Sequence, residues 1–309
     1  MKERNNPIVI QNSTFKINNS FFPGFLSSEL APTPPESCLF HVIPVPYEKT
    51  VSYGTGTRNG PLAILKSSLQ LELFDGIGIP AEYGIYTHPQ VNCVGKAETV
   101  LKRITDAVSN VLNLNKIPVI LGGEHTVSAG AFKAVKAHFK DFGIVQFDAH
   151  ADLRDTYHGT SLSHACVMRR ALDMDIPIYQ IGVRSLSWEE HLLREERHIG
   201  HLDASAIGMA HVPGLILPDD FPKNIYITFD VDGLDPSIMP ATGTPEPGGL
   251  SWHQAVSALS SVLRARKVVG FDVVELAPIP GMHAPEFTVA RLIYNLFGMI
   301  GRQKRPPQP

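Results

Sequence analysis

Cysteine is scarce in this chain. Cys38, Cys93 and Cys166 are the only three among 309 residues, and they stand far apart. An odd number at such spacing builds neither a disulfide framework nor a cysteine-rich zinc site. A reducing, cytoplasmic setting is therefore the default expectation. Long apolar runs are absent as well. No segment approaches the ~18 consecutive apolar residues of a membrane span, and Pro7-Ile8-Val9-Ile10 is too short for the apolar region of a secretory signal. Charge is sparse, at 18% of residues with a net of −3, and no basic run occurs. That excludes a general nucleic-acid binder. No internal repeat and no shift in composition marks a domain boundary.

What the chain does have is apolar material, 43% of its residues, enough for the core of one large α/β domain. Residues 1–36 hold Asn/Ser patches and Ala31-Pro32-Thr33-Pro34-Pro35, which cannot continue a helix. They are expected to form a poorly organised arm laid over the domain or a neighbouring subunit. Residues 37–303 alternate short apolar runs with helical periodicity. Strands are expected at Leu39–Ile43 (ended by Pro44 and Pro46), Tyr83–Tyr86, Ile117–Leu121, Gly143–Phe147, Pro177–Ile181, Asn224–Phe229 and Val268–Val274. Helices are expected from Gly60, then over Lys96–Leu114, Thr126–Phe139, Ser163–Leu172, Trp188–Arg197, Trp252–Arg264 and Glu286–Ile300. Residues 304–309 read as a frayed tail. The alternation implies βαβ units and a mainly parallel sheet with helices on both faces. Ligands of such sheets bind at the carboxyl ends of the strands.

Ligand-type side chains cluster at those ends. Gln146-Phe147 runs into Asp148-Ala149-His150-Ala151-Asp152, and Ile227-Thr228-Phe229 runs into Asp230-Val231-Asp232. Positions i and i+2 of a strand share a face, so Asp148 pairs with His150 and Asp230 with Asp232. His125 follows Gly122-Gly123-Glu124 at the end of another apolar run. Four carboxylates brought together cannot all stay ionised without positive charge. Two divalent cations supply it, and an oxygen-rich site with one imidazole per ion suits Mn2+ better than structural zinc. Two aspartates, one from each strand, could bridge ions ~3.5–4 Å apart. Isolated residues carry less meaning. Asp235, before Pro236, reads as a turn residue, His138 and His191 as surface or core, and Cys166 as a packed helix residue.

Gly122-Gly123-Glu124-His125, Asp148-Ala149-His150-Ala151-Asp152 and Phe229-Asp230-Val231-Asp232-Gly233-Leu234-Asp235-Pro236 resemble the three signatures of the ureohydrolases, the arginase and agmatinase family. The resemblance runs from about Pro44 to Gly298. It implies a three-layer α-β-α fold around a central, mainly parallel sheet of about eight strands, two Mn2+ ions, and a homotrimer or homohexamer. Carried over by position, His125, Asp148, Asp152 and Asp230 match the ligands of one metal; Asp148, His150, Asp230 and Asp232 match those of the other, with Asp148 and Asp230 bridging. Glu275, in Phe271-Asp272-Val273-Val274-Glu275, matches the carboxylate that pairs with a guanidinium group, a planar cation suited to carboxylate geometry. His164 matches a proton shuttle, a task for which an imidazole titrating near neutrality is fitted. Thr244, in Gly243-Thr244-Pro245, matches a position touching the same pocket.

The resemblance thus implies hydrolysis of a guanidino C–N bond to urea and an amine, with Asp152 passing a proton to the departing amine and His164 returning protons to solvent. The loop Leu153–His164 and Gly243–Gly249 look like the agmatinase form, so agmatine, giving putrescine and urea in polyamine biosynthesis, is the expected substrate. Guanidinobutyrate, aminopropylagmatine, guanidine and arginine are the alternatives, to be separated by loop residues near Tyr53, Tyr157 and Arg184. A deacetylase of the same general fold would need one zinc, and the complete second ligand set opposes it. A catalytically silent metal-binding scaffold is the reading of a different class; the intact ligands and Glu275 oppose it. No membrane or nucleic-acid partner is expected.

Overall fold

Eight short apolar strands line up side by side in a single sheet. They are β1 (Phe40–Val45), β2 (Ile85–Thr87), β3 (Ile117–Gly122), β4 (Gly143–Phe147), β5 (Ile178–Ile181), β6 (Gly200–Leu202), β7 (Asn224–Asp230) and β8 (Lys267–Val274). This computed structural model describes residues 22–208, 214, 216–264 and 266–304. The sheet order is β2-β1-β3-β8-β7-β4-β5-β6, and every neighbouring pair is parallel. The chain winds β1 to β3 towards one edge, jumps to β4 and winds to the other, then returns to fill the middle with β7 and β8.

Helices cover both faces, as an all-parallel sheet requires. On one face α1 (Gly60–Ser68), α7 (Trp252–Arg264) and α8 (Ala284–Lys304) pack over Phe40, Val119, Phe147, Phe229 and Phe271. On the other, α2 (Ala97–Asn113), α3 (Ser128–His138) and α4 (Val167–Leu172) pack over Ile43, Ile120, Ile144 and Val274. The buried stripe of α2, Val100, Ile104, Val108 and Val111, repeats at three to four residues because one helix face meets the sheet. α5 (Trp188–Glu196) starts on a capping box, Ser187 with Glu190, and α6 (Ala204–Ile207) is a single turn. The result is the three-layer α-β-α arrangement expected.

Several elements differ from the sequence expectation. The seven expected strands are present, and β6 is an eighth; it is three residues of edge strand, too short to show a period. Pro44 lies inside β1 rather than ending it. Its missing N–H faces β2, which already stops at Thr87, so no ladder bond is lost there. α3 and α4 each begin only after a 3-10 turn, His125–Val127 and His164–Cys166. Residues 1–21 of the expected arm lie outside the described residues. From Phe22 onward it packs: Phe25 and Leu26 are buried, and their N–H groups donate to Thr87 Oγ1 and Ser68 Oγ. Lys304 closes α8, and 305–309 lie outside the described residues.

Phe297 on α8 ties these layers together. Its ring stacks on Phe40 at 4.4 Å between centroids and meets Phe25 at 5.3 Å and Phe271 at 6.0 Å. Phe297→Ala should destabilise the protein by about 3–5 kcal/mol, read as a lower urea midpoint at unchanged slope. A midpoint within error of the parent would show that this cluster does not carry the face.

Candidate metal centre

Four central strands, in the spatial order β3-β8-β7-β4, end at one place. Beyond β3 comes His125, beyond β4 come Asp148, His150 and Asp152, at the end of β7 sits Asp230 with Asp232 in the next turn, and Glu275 follows β8. The loops holding them are drawn in tightly. A Cβ on Gly123 would stand 2.0 Å from the carbonyl oxygen of Tyr47, and one on Gly233 would stand 2.9 Å from the backbone nitrogen of Asp148. Only glycine lets the β3 loop pass under β1 and the β7 loop lie against β4. Asp152 and Glu275 have positive φ, 52° and 66°, a strain of roughly 1–3 kcal/mol each that is characteristic of functional positions.

Asp148 stands between the two imidazoles. Its Oδ2 is 3.2 Å from His125 Nδ1, and its Oδ1 is 3.6 Å from His150 Nδ1. His125 Nδ1 also lies 3.0 Å from Asp152 Oδ2 and 3.4 Å from Asp230 Oδ2, and His150 Nδ1 lies 3.0 Å from Asp232 Oδ2. Two donor sets result, His125 with Asp148 and Asp230, and Asp148 with His150 and Asp232; within each, the donor atoms lie within 4.8 Å of one another. Burial raises the Asp152 carboxyl to about 7, with Asp148 adding to the effect. Asp230 is pushed up by burial and then by Asp232 and Asp148. Burial alone would lower both histidines; the surrounding aspartates reverse that, raising His125 and taking His150 to about 12. The cluster therefore demands positive charge at its centre.

The donor set fits a divalent cation. His125 Nδ1 is buried without a hydrogen-bond partner, although carboxylate oxygens ring it. Its other nitrogen explains why. Nε2 lies 2.8 Å from Thr228 Oγ1, whose proton goes to Asp272 Oδ1 at 2.6 Å. The hydroxyl can then only accept, so Nε2 carries a hydrogen and Nδ1 is the nitrogen that could exchange its proton for a cation, as in the outer support of metal-binding histidines.

Thr228 and Asp272 belong to a row the sequence reading missed. Gln180, Gln146, Thr228 and Asp272 are paired in register across β5, β4, β7 and β8, and all are fully buried. Gln180 Nε2 donates to Gln146 Oε1, and Gln146 Nε2 donates to Asp148 Oδ2. Each residue lies on the sheet face where Asp148 and Asp230 also point. The available signal was a polar residue inside each apolar strand.

A cleft of about 160 Å³ opens over the cluster, and His125, His150, Asp152, Asp230, Asp232, His164, Glu275 and Thr244 all line it. Every site residue expected from the sequence thus reaches this place except Asp148, which lies buried beneath it. Glu275 Oε1 accepts the His125 N–H at 2.6 Å, and burial pushes its carboxyl up, with Glu124 and Asp232 adding to the rise. His164 Nδ1 is 3.2 Å from Thr50 Oγ1, and its ring meets Tyr157 edge-on at 5.5 Å. Burial lowers the His164 imidazole. Tyr53 and Tyr157 line the opening, as does Glu190, which was not anticipated. Arg184 does not. Its guanidinium donates to the carbonyls of Gly182, Asp232 and Glu246 among others, stapling two loops together, so it has no group left for a ligand. Asp235 accepts from the N–H groups of Ser237, Gly248 and Gly249, a turn role as expected. Burial raises the Cys166 thiol to about 11, which fits packing rather than nucleophilic duty.

Comparison with known proteins points the same way. The family model described as Arginase family matches residues 39–298. The N(1)-aminopropylagmatine ureohydrolase of Synechocystis sp. is 35% identical over 93% of this chain and 98% of its own length. The agmatinase of Pyrococcus horikoshii is 32% identical over 84% of this chain and 92% of its own. The solved structure of the agmatine ureohydrolase of Thermoplasma volcanium superposes with a TM-score of 0.79 at 30% identity, covering 89% of this chain and 94% of that one.

If these sets hold metal, Thr228→Val should weaken divalent-cation binding by roughly 10–100-fold, because His125 loses its orienting partner. Asp148→Asn should cost more, since Asp148 serves both sets. Titration calorimetry with Mn2+ on chelator-stripped protein measures both, and parent-like affinity in Asp148→Asn would remove Asp148 from the ligand list.

Proposed function

The chain belongs to the arginase family and is a metal-dependent ureohydrolase, and on that premise we propose that it cleaves a linear guanidino amine of the agmatine type to urea and the free amine. The observation that carries this choice is the charge of the cleft. Asp152, Glu190, Asp230, Asp232 and Glu275 line it, against Arg154 as the one arginine among the described lining residues. Arg154 is itself engaged, with its guanidinium over the Tyr157 ring at 5.6 Å and its Nε 3.9 Å from Glu190 Oε2. An arginine or guanidinobutyrate carboxylate would enter without a free cationic side-chain partner, a cost that an uncharged or cationic tail does not incur. A second reading, the aminopropyl-extended form of agmatine, is favoured by the name of the Synechocystis relative and by the open rim at Tyr53, which is 84% exposed.

This reading calls for two Mn2+ ions: His125, Asp148, Asp152 and Asp230 would hold one, and Asp148, His150, Asp230 and Asp232 would hold the other. When bound, such ions acidify water and stabilise developing negative charge. The chain's own residues do the rest. Glu275 keeps one carboxylate oxygen on the His125 N–H and turns the other to the guanidinium. A carboxyl raised by burial gains most from an incoming cation, so the burial of Glu275 sharpens its preference for guanidinium. Asp152, a ligand with a second carboxylate oxygen to spare, is suited to pass a proton to the departing nitrogen. His164, at the cleft wall, carries protons onward to solvent.

The test is a panel: agmatine, N(1)-aminopropylagmatine, guanidinobutyrate, arginine and guanidine, each incubated with Mn2+-loaded protein while urea is measured. The two amines should exceed the carboxylates in kcat/KM by about 100-fold or more, the scale set by a buried charge left unpaired. A preference for arginine or guanidinobutyrate would overturn the substrate class, and no urea from any compound would leave the silent scaffold. Glu275→Gln should lower kcat/KM by roughly 100-fold or more with metal content unchanged; lost metal instead would make Glu275 a structural support.

A further inference from the structure

We propose that Glu124, acting through the hydroxyl of Thr50, locks His164 in the Nδ1-protonated tautomer, so that Nε2 is the ring nitrogen presented as a base to the cleft. Glu124 and Thr50 are then positioning residues for the proton carrier. The inference rests on the reading of His164 as that carrier.

The hydrogen-bond inventory requires it. Glu124 is fully buried. Its Oε2 accepts the N–H groups of Lys49 and Thr50, and its Oε1 accepts the hydroxyls of Thr50 at 2.8 Å and Thr126 at 2.7 Å. A carboxylate so surrounded is a pure acceptor. Thr50 has one hydroxyl proton, and the charged oxygen takes it. Two lone pairs remain on Thr50 Oγ1. One accepts the backbone N–H of His164 at 3.1 Å; the other faces His164 Nδ1 at 3.2 Å. Were Nδ1 unprotonated, two lone pairs would oppose each other. Ser163 Oγ, 3.3 Å from the same nitrogen, is a free rotor that donates or accepts, so it does not decide the tautomer. Thr126 Oγ1, 3.4 Å from Thr50 Oγ1, has spent its own proton on Glu124. Nε2 makes no hydrogen bond among the described residues, and the ring plane is set by the edge-on contact with Tyr157.

The same device operates on the other side of the site. Asp272 takes the proton of Thr228, and Thr228 accepts from His125 Nε2. In both places a buried carboxylate fixes an imidazole through an intervening threonine. The output differs: at His125 the free nitrogen is Nδ1, aimed at the ligand cluster, and at His164 it is Nε2, at the cleft wall. Glu124 also precedes His125 in the chain, so the turn that carries one histidine anchors the threonine that orients the other. Placing the carboxylate one residue away from the imidazole, rather than in contact, orients the ring without forming a tight ion pair that would hold the proton.

The experiment measures urea release from agmatine by Mn2+-loaded parent, Thr50→Val, Thr50→Ser, His164→Asn and the double variant Thr50→Val/His164→Asn. His164→Asn should lower kcat by about 100-fold, and Thr50→Val by about tenfold with KM nearly unchanged, as expected for a proton carrier and its support. Thr50→Ser keeps the hydroxyl and should recover most of the loss. Thr50→Val should add less than about twofold in the His164→Asn background, since residues acting through one group are not additive. An equal factor in both backgrounds would overturn the relay while leaving His164 its role. An unaffected kcat in His164→Asn would overturn the proton-carrier reading and the relay with it, and that pattern is distinct. If Thr50→Val does not fold, ring-nitrogen NMR of the Mg2+-loaded parent, with His164 assigned from its loss in His164→Asn, still decides: a protonated Nδ1 supports the relay, and a protonated Nε2 ends it.

Discussion

Carboxylates buried together set the terms for this molecule. Asp148, Asp152, Asp230, Asp232 and Glu275 crowd one end of the sheet with two imidazoles to balance them. Left uncompensated, that charge would oppose folding, because desolvation and mutual repulsion act in the same direction. The rest of the architecture answers it. The donor sets are built for a metal whose charge would balance them, backbone N–H groups of His125, Ala149, His150 and Asp232 each donate to a carboxylate, and a buried polar row beneath holds the cluster in place. Rigid support of this kind is what makes a site selective for its ion rather than merely attractive to one.

How much of this could be read from the chain depends on range. Asp148 with His150 and Asp230 with Asp232 declare themselves locally, through period-two spacing after an apolar run, and the structure puts each at a strand end. The helices and the seven expected strands are legible for the same reason, since hydrophobic period is a local signal. β6 escapes because Gly200–Leu202 is shorter than any period. Pro44 misleads because a proline inside a strand is tolerated only where a neighbour has already ended, and that depends on β2, forty residues away. Thr228, Asp272, Gln146 and Gln180 look like interruptions of apolar strands until pairing places them in one line. The bond between Thr50 and His164 spans 114 residues, and no spacing rule reaches that far.

The rim of the cleft follows different physics from its floor. On the floor, the ligand side chains are anchored by hydrogen bonds from buried groups, and the chemistry is fixed by geometry. At the rim, Tyr53 is open to solvent and Arg154 lies over Tyr157, so the side chains there are held by fewer contacts. Reaction type is thus built into the strands, while the choice of amine is left to loops that can vary without disturbing them.

The strand order has a consequence for how the chain is made. β7 and β8 are the last strands in sequence and the middle strands in space, seated between β3 and β4. Until both have left the ribosome, β3 and β4 must remain as two separate half-sheets, each with an apolar inner edge exposed. Joining them brings together His125 and Glu275, 150 residues apart, a late and entropically costly closure. The nascent chain therefore carries two sticky edges from the completion of β4 until β7 and β8 arrive, and the step that hides them is the one that assembles the catalytic cleft. A chain cut short before β8 would hold neither a finished sheet nor a fragment of activity, and would be a natural client for chaperones.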